Sequence, residues 1–234
     1  MTEFTQLNSF RPQVKKSLNK AFDLARQCPG LSFSQCMGNS FRQTVAALFS
    51  RETMNSETML SGHLAATLER AAASEGDYLI AAQDTTYYNY SGHHQMSGLG
   101  IIQGKVQGLM QHNVLLCDEA RLPLGVLNQQ YWTREGEIDW PAEAKESQKW
   151  FNGLQAVNQQ AQGSDKRWVV TCDRESDIFE FFKAQRASNV ELLVRVSPTP
   201  SIRSALGWAS RGVKRQGCRR LRDFKCQSQL SQHD

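Results

Sequence analysis

Along the first 75 residues the apolar positions recur every three to four places. Val14, Leu18, Phe22 and Ala25 form one such stripe, which predicts an amphipathic helix ending before Cys28-Pro29-Gly30. A second helix is expected from about Asn39-Ser40 through Val45, Leu48 and Phe49. A third follows Asn55-Ser56, with a Ser cap ahead of Met59, Leu60, His63, Leu64 and Leu68. From residue 78 the spacing changes. Strand-like runs fall at 78–83, 109–117 and 122–131, the last two separated by the hairpin-sized gap Asp118-Glu119-Ala120-Arg121. A helix is expected over 141–161, opened by Pro141 and carrying Trp150, Phe151, Leu154 and Val157. A strand over 167–172, a helix from Ser176 with Ile178, Phe179 and Phe182, and a strand from Val190 to Val196 complete the order β-β-β-α-β-α-β.

Strands that flank a helix in an α/β layer are usually parallel and joined by a right-handed crossover. The first and fourth runs can then lie side by side with their C-terminal ends at one edge, where α/β sheets generally bind ligands. Both runs end in an acid, Asp84 in Gln83-Asp84-Thr85-Thr86 and Asp173 in Thr171-Cys172-Asp173-Arg174. Paired carboxylates at neighbouring strand ends are half of a Mg²⁺ site, because Mg²⁺ takes one or two carboxylates and keeps several waters. The plainer reading is that Asp simply begins a turn. Glu175 and Asp177 are close enough to Asp173 to add a ligand, but neither stands as an independent third acid.

Composition is that of an ordinary globular protein, 40% hydrophobic and 21% charged. No apolar run approaches the ~18 residues of a membrane span. The start of the chain has no secretion-signal pattern, and the six cysteines show no Cys-x-x-Cys pair, so a cytoplasmic, reduced setting is expected. The net charge of +4 is unevenly spread: residues 203–234 carry +6, leaving −2 for the rest. That basic stretch lacks periodicity and reads as a disordered tail or as sequence out of register with an intact relative. Any basic surface on the main body must be local. Lys15, Lys16 and Lys20, off the apolar stripe of the first helix, are candidates for DNA backbone contact, as is Arg42 in the second. The alternative is an ordinary solvated face. Gly98, Gly100, Gly104 and Gly108 fit no phosphate-loop spacing and read as turn glycines. His93-His94 reads as surface loop, since adjacent residues in extended chain point apart.

Several ordered blocks carry a resemblance. Gln83-Asp84-Thr85-Thr86 with Tyr90-Ser91-Gly92-His93 resembles the first catalytic block of cut-and-paste bacterial transposases of the insertion-sequence-four type. Cys172-Asp173-Arg174-Glu175-Ser176-Asp177-Ile178 is similar to their second block. Between them Gln130-Tyr131-Trp132-Thr133-Arg134 and Lys145-Glu146-Ser147-Gln148-Lys149-Trp150 stand in the family's order. The likeness reaches back to Ser34-Gln35-Cys36-Met37-Gly38 and Ala46-Ala47-Leu48-Phe49-Ser50 and forward to Leu193-Val194-Arg195, spanning about residues 8–197.

The resemblance implies a helical DNA-binding unit over 1–75, a ribonuclease-H-like core over 76–200 and the basic tail over 201–234. It implies Asp84 and Asp173 as the first two acids of a DDE triad holding Mg²⁺ or Mn²⁺, double-stranded transposon-end DNA as partner, and a dimer on that DNA. Arg195 matches a basic position expected to contact phosphate. The family's third acid is the Glu of a Tyr-x-x-Arg-x-x-x-Glu motif that follows a β-rich insertion. Here Tyr131 and Arg134 are followed by Ile138, so the motif is missing. The expectation is a C-terminally truncated transposase of impaired activity. The alternatives are a non-catalytic DNA-binding regulator and a non-functional product of a frameshifted copy.

Overall fold

The computed structural model describes residues 10–93, 95–134 and 146–196. Among these residues six α-helices and six strands are formed: α1 (Pro12–Gln27), α2 (Phe33–Met37), α3 (Asn39–Phe49), α4 (Ser56–Ala73), β1 (Tyr78–Asn89), β2 (Gly100–Gln103), β3 (Val106–Cys117), β4 (Pro123–Trp132), α5 (Gln148–Ala161), β5 (Arg167–Cys172), α6 (Phe179–Lys183) and β6 (Val190–Val194). The strands make one mixed α/β sheet in the order β2-β3-β1-β5-β6, with β4 also paired to β3. β3 is antiparallel to both β1 and β4, whereas β1, β5 and β6 run parallel.

The N-terminal helices follow the apolar spacing, with four departures. Val14, Leu18 and Ala21 are the buried positions of α1, while Phe22 is 49% exposed. The stripe therefore passes through Ala21, seven residues and close to two full turns after Val14, whereas Phe22 overshoots them. Phe49 is likewise exposed at the end of α3. The cap of α4 is Asn55, whose side-chain oxygen accepts from the Thr58 backbone N–H at 2.8 Å, and Ser56 is already helical. The short helix α2 was not foreseen. It opens with a capping box in which Ser32 and Gln35 satisfy each other's backbone N–H groups.

Three sheet expectations also need correction. β1 does not stop at Asp84. It continues to Asn89, because β3 pairs with it along Ile80–Asn89, well past the end of β5. Thr85, Thr86, Tyr87 and Tyr88 are residues that favour strand. The four-residue strand β2, closed against β3 by a turn at Gly104 with φ +56°, adds a strand to the expected order. The helix expected from Ser176 is instead a 3₁₀ turn, Arg174–Ser176, followed by the five-residue α6. Residues 141–145, including Pro141, together with His94 and the basic tail, lie outside the described residues.

One core cluster lies between α5 and one face of the sheet. Leu79, Ala81, Val114, Leu116, Trp168 and Val170 supply the sheet side, and Trp150, Leu154, Val157 and Ala161 the helix side. α4 reaches the same cluster through Ala71 and clamps β4. The Val126 N–H donates to His63 Nε2 at 2.8 Å, and Arg70 Nε donates to the Leu124 carbonyl at 2.5 Å. These bonds use backbone groups that a bare edge strand would leave unpaired. Contact is this close because Gly125 has no side chain: a Cβ there would sit 2.0 Å from Thr67 Oγ1.

α5 approaches the sheet in the same way at Gly153, where a Cβ would lie 2.2 Å from Gln83 Oε1 and 3.1 Å from Val114 Cγ2. Gln83 is buried and hydrogen-bonded, so it cannot swing aside without breaking that bond. Gly153→Ala is expected to destabilise the fold by about 1–3 kcal/mol, read as a lower urea midpoint. An unchanged midpoint would show that α5 does not pack at this distance.

Candidate active site

β1 is the strand on which the site is built, and its alternation assigns the residues. Leu79, Ala81 and Gln83 are buried toward α5, and Asp84 is exposed on the opposite face. β5 alternates in phase: Trp168, Val170 and Cys172 are buried, and Asp173 is exposed. The parallel register pairs Ala82 with Thr171, and β5 with β6 pairs Thr171 with Leu193. The β1–β5 ladder ends at Ala82 with Thr171 and the β5–β6 ladder at Cys172 with Val194. Counted two residues past Ala82, Thr171 and Leu193, the same register aligns Asp84 with Asp173 and Arg195, the last two just beyond the ends of β5 and β6. The Arg195 N–H bonds to the Cys172 carbonyl at 3.0 Å, so the β5–β6 ladder extends to that level. Neighbouring strands lie about 4.8 Å apart. Three residues separated by 111 positions in sequence therefore share one edge and one face of the sheet.

The rung continues through β3 and β4, where Asp84 pairs with Asn113 and Asn113 with Gln129. Here lies a polar cluster that sequence reasoning missed. Asn113 Oδ1 accepts from Gln111 Nε2 at 2.9 Å and from Gln129 Nε2 at 3.1 Å. The Tyr131 hydroxyl accepts from Gln111 Nε2 at 3.2 Å and donates to Gln129 Oε1 at 3.0 Å. No local signal marked it: Gln111, His112 and Asn113 are consecutive polar residues, and only the strand alternation in the fold sets Gln111 and Asn113 apart from the core-facing His112.

Behind Asp84 the flanking residues of β1 face α5 and meet the buried His112. Gln83 Oε1 lies 3.0 Å from His112 Nε2, and Thr85 Oγ1 lies 2.9 Å from Nδ1. An amide oxygen can only accept, so the proton sits on Nε2 and Nδ1 accepts from the threonine hydroxyl. The Trp150 ring stands edge-on to the imidazole, with centroids 4.6 Å apart. Burial, and then the nearby Lys149 cation, push the His112 pKa down to about 4. Thr85 is thus committed to the core, and only Thr86 shares the face of Asp84.

Asp173 is held by its own turn. Its Oδ1 accepts from the Glu175 N–H at 2.9 Å, and Ser176 Oγ donates to its carbonyl at 2.7 Å. Glu175 in turn receives Lys149 Nζ at 2.8 Å. That ammonium is buried against the Trp132 and Trp150 rings, with centroids at 5.7 and 5.2 Å. Lys149 therefore ties the start of α5 to the turn that carries the second acid. Glu175, one of the two acids near Asp173, is occupied by this pair. Cys172 beside it is buried, with its thiol pushed up to about 12, which leaves it protonated and unreactive at neutral pH. Arg134 makes an ion pair with Glu146, linking the end of β4 to the start of α5 and holding the Glu146 carboxyl below its usual range.

The basic candidates on the helical unit fall on one surface in part. Lys15, Lys16 and Lys20 line a shallow depression along α1 together with Asp23. The Lys20 ammonium also sits 4.5 Å from the centre of the Phe41 ring of α3. Arg42 is exposed on α3. Among the described residues no group of three or more His, Cys, Asp and Glu side chains is placed to hold a metal ion. None of the described helices is long and apolar enough to cross a membrane.

No protein-family model matches the sequence. Among solved structures the chain is similar to the piggyBac transposase synaptic complex with hairpin DNA, with a TM-score of 0.37 and 12% identity. The match covers 83% of this chain and 42% of that one, so this chain spans less than half the length of that protein.

His112 offers a direct check on the buried side of the site. Its folded pKa lies below the ~6.5 of an unfolded histidine, so the unfolded chain binds the extra proton between the two values. Stability is then full above about pH 6.5 and falls by about 3 kcal/mol as the pH drops toward 4. His112→Gln is expected to remove this slope. In NMR titrations Lys149→Met should raise the His112 midpoint by removing the nearby cation. A midpoint near 6.5 in the unsubstituted protein would contradict the buried network.

Proposed function

We propose that the chain carries the first two acids of a ribonuclease-H-like, DDE-type DNA transposase core. The observation that supports this most is the shared rung of Asp84, Asp173 and Arg195 on β1, β5 and β6. Two exposed carboxylates are hard oxygen donors of the kind that Mg²⁺ or Mn²⁺ takes. In this reading Asp84 and Asp173 hold the ion, which when bound supplies Lewis-acid activation of a phosphodiester. Arg195 meets a phosphate oxygen from the side away from Asn113. Lys149, through Glu175, keeps the turn after β5 from moving the Asp173 carboxylate off the rung. Two acids bind an ion more weakly than three, so strand cleavage by this chain is expected to be slow or absent.

The test is Mn²⁺ binding followed by electron paramagnetic resonance, with plasmid nicking as a second readout. Asp84→Asn and Asp173→Asn are each expected to weaken Mn²⁺ binding at least tenfold, while nicking by the unsubstituted chain stays near background. Binding unchanged in both variants would remove the proposed site. Robust nicking lost in Asp84→Asn would keep the site and overturn the impaired activity.

A second function of the helical unit, binding to duplex DNA without cleavage, is supported by the depression that Lys15, Lys16 and Lys20 share on α1. Each phosphate contact contributes about 0.9 to the slope of log affinity against log salt. Lys15→Glu with Lys16→Glu should weaken duplex binding and lower that slope by about 2. An unchanged slope would return these lysines to an ordinary solvated face.

A further inference from the structure

The sheet face that bears Asp84 carries a second feature, four to six residues further along the chain at the end of β1. Tyr88 and Tyr90 follow at alternate positions, their rings nearly parallel at 7° with centroids 6.2 Å apart. His93 stands edge-on to Tyr90 at 5.7 Å. Tyr131 lies near Tyr88 across β3, and this proximity, after burial, holds its phenol pKa above the usual value. Tyr131 is 46% exposed, and Tyr88 and Tyr90 are half-buried. Between these rings and the acid rung stand the carboxamides of Gln111, Asn113 and Gln129.

We propose that this surface binds unpaired bases of a nucleic-acid strand. Stacked tyrosines supply π-faces, and base–aromatic stacking is indifferent to base identity. The half-buried carboxamides of Asn113 and Gln129 supply uncharged polar groups, which suit base edges, and Gln111, buried beneath them, holds Asn113 and Tyr131 in place. Tyr88, Tyr90, Gln111, Asn113, Gln129 and Tyr131 bear no cation, so this stretch is poorly suited to track the phosphates of a closed duplex, whose binding rests on Lys and Arg. A base inside a duplex also has no free face to offer. The charge needed for the phosphate lies at the other end, at Arg195 and at an ion held by the two acids. Four residues of strand separate Asp84 from Tyr88, about 13 Å at the usual rise, so a strand with a phosphodiester at the acids can lay its next bases on the rings.

This inference deepens the reading of the acid rung by naming the form of substrate that reaches it: a strand already opened, not a closed duplex. The stacking surface is separable from the acids by experiment. The probe is a fluorescein-labelled 12-nucleotide DNA single strand, with the same sequence as a duplex for comparison, read by anisotropy on the full chain. Tyr88→Leu with Tyr90→Leu is expected to weaken single-strand binding at least tenfold and to leave duplex binding within twofold. Tyr88→Phe with Tyr90→Phe keeps the rings and should bind as the unsubstituted chain does. This phenylalanine pair also answers for folding, since the two double variants lose the same hydroxyls and differ in aromaticity. Gln111→Leu is expected to weaken single-strand binding several-fold by removing the donor shared by Asn113 and Tyr131. Single-strand binding that survives the leucine pair, or duplex binding that falls equally with it, overturns the proposal. Mn²⁺ binding measured on the leucine pair should be unchanged. Loss of strand binding with Mn²⁺ binding retained supports the stacking surface, whereas Mn²⁺ binding insensitive to Asp84→Asn counts against the acid rung alone.

Discussion

Everything in the candidate site depends on the parallel pairing of β1 with β5. That ladder spans five residue pairs, from Tyr78 with Arg167 to Ala82 with Thr171. It joins segments 89 residues apart, and a shift of one residue would turn every side chain of β5 to the other face. The register is strongly specified because one face is committed to the core. Leu79 and Ala81 on β1 and Trp168 and Val170 on β5 all belong to the cluster under α5. Burying those residues together leaves the opposite phase, which includes Asp84 and Asp173, outward. The core thus selects the alignment of the acids without touching either.

The same strand is held at a second point by polar contacts. Gln83 and Thr85 straddle Asp84 and bond the two nitrogens of His112, and Trp150 closes over the imidazole. A neutral buried histidine satisfied on both sides is costly to rearrange, because breaking either bond leaves a buried polar atom without a partner. Gly153 lets α5 come close enough to seal this network. On the β5 side Lys149 and Glu175 do the corresponding work, since Lys149 extends from the first turn of α5 to the turn after Asp173. One helix therefore restrains the backbone beneath both acids, which is how a rigid element positions side chains that must stay exposed.

Much of this was legible in the sequence, for reasons that can be named. Tyr78–Gln83 and Arg167–Cys172 are short apolar runs on either side of an expected helix, so a parallel pair ending at one edge followed from the order of elements, whereas the alternation of burial along them shows only in the fold. The continuation of β1 past Asp84 was not legible, because it depends on β3 pairing at a distance and the acid read as a stop. β2 is too short to show a period, and α2 is marked only by its capping box. The apolar stripe of α1 was misplaced at Phe22 because size was weighed above angle: Ala21 is small, yet it has the correct angle. The carboxamide cluster was hidden for a different reason. Gln and Asn read as solvent-facing in one dimension, and only the pairing of β3 with β4 brings Gln111, Asn113, Gln129 and Tyr131 within hydrogen-bonding distance. Functional surfaces assembled across strands carry no local signature.

The most direct test of the account is a disulfide trap for the shared rung. With Asp84→Cys and Asp173→Cys in one chain, mild oxidation should form a cross-link between the two new thiols, found by mass spectrometry of the digested protein. The native Cys172 provides an internal control, because it lies one residue away but faces the core. A chain with Asp84→Cys alone should form no bond to Cys172. Cross-linking of 84 to 173 without 172 is the result expected from the register. Failure of the pair to cross-link in a folded protein, or a bond from 84 to Cys172, would contradict the alignment on which the site is built.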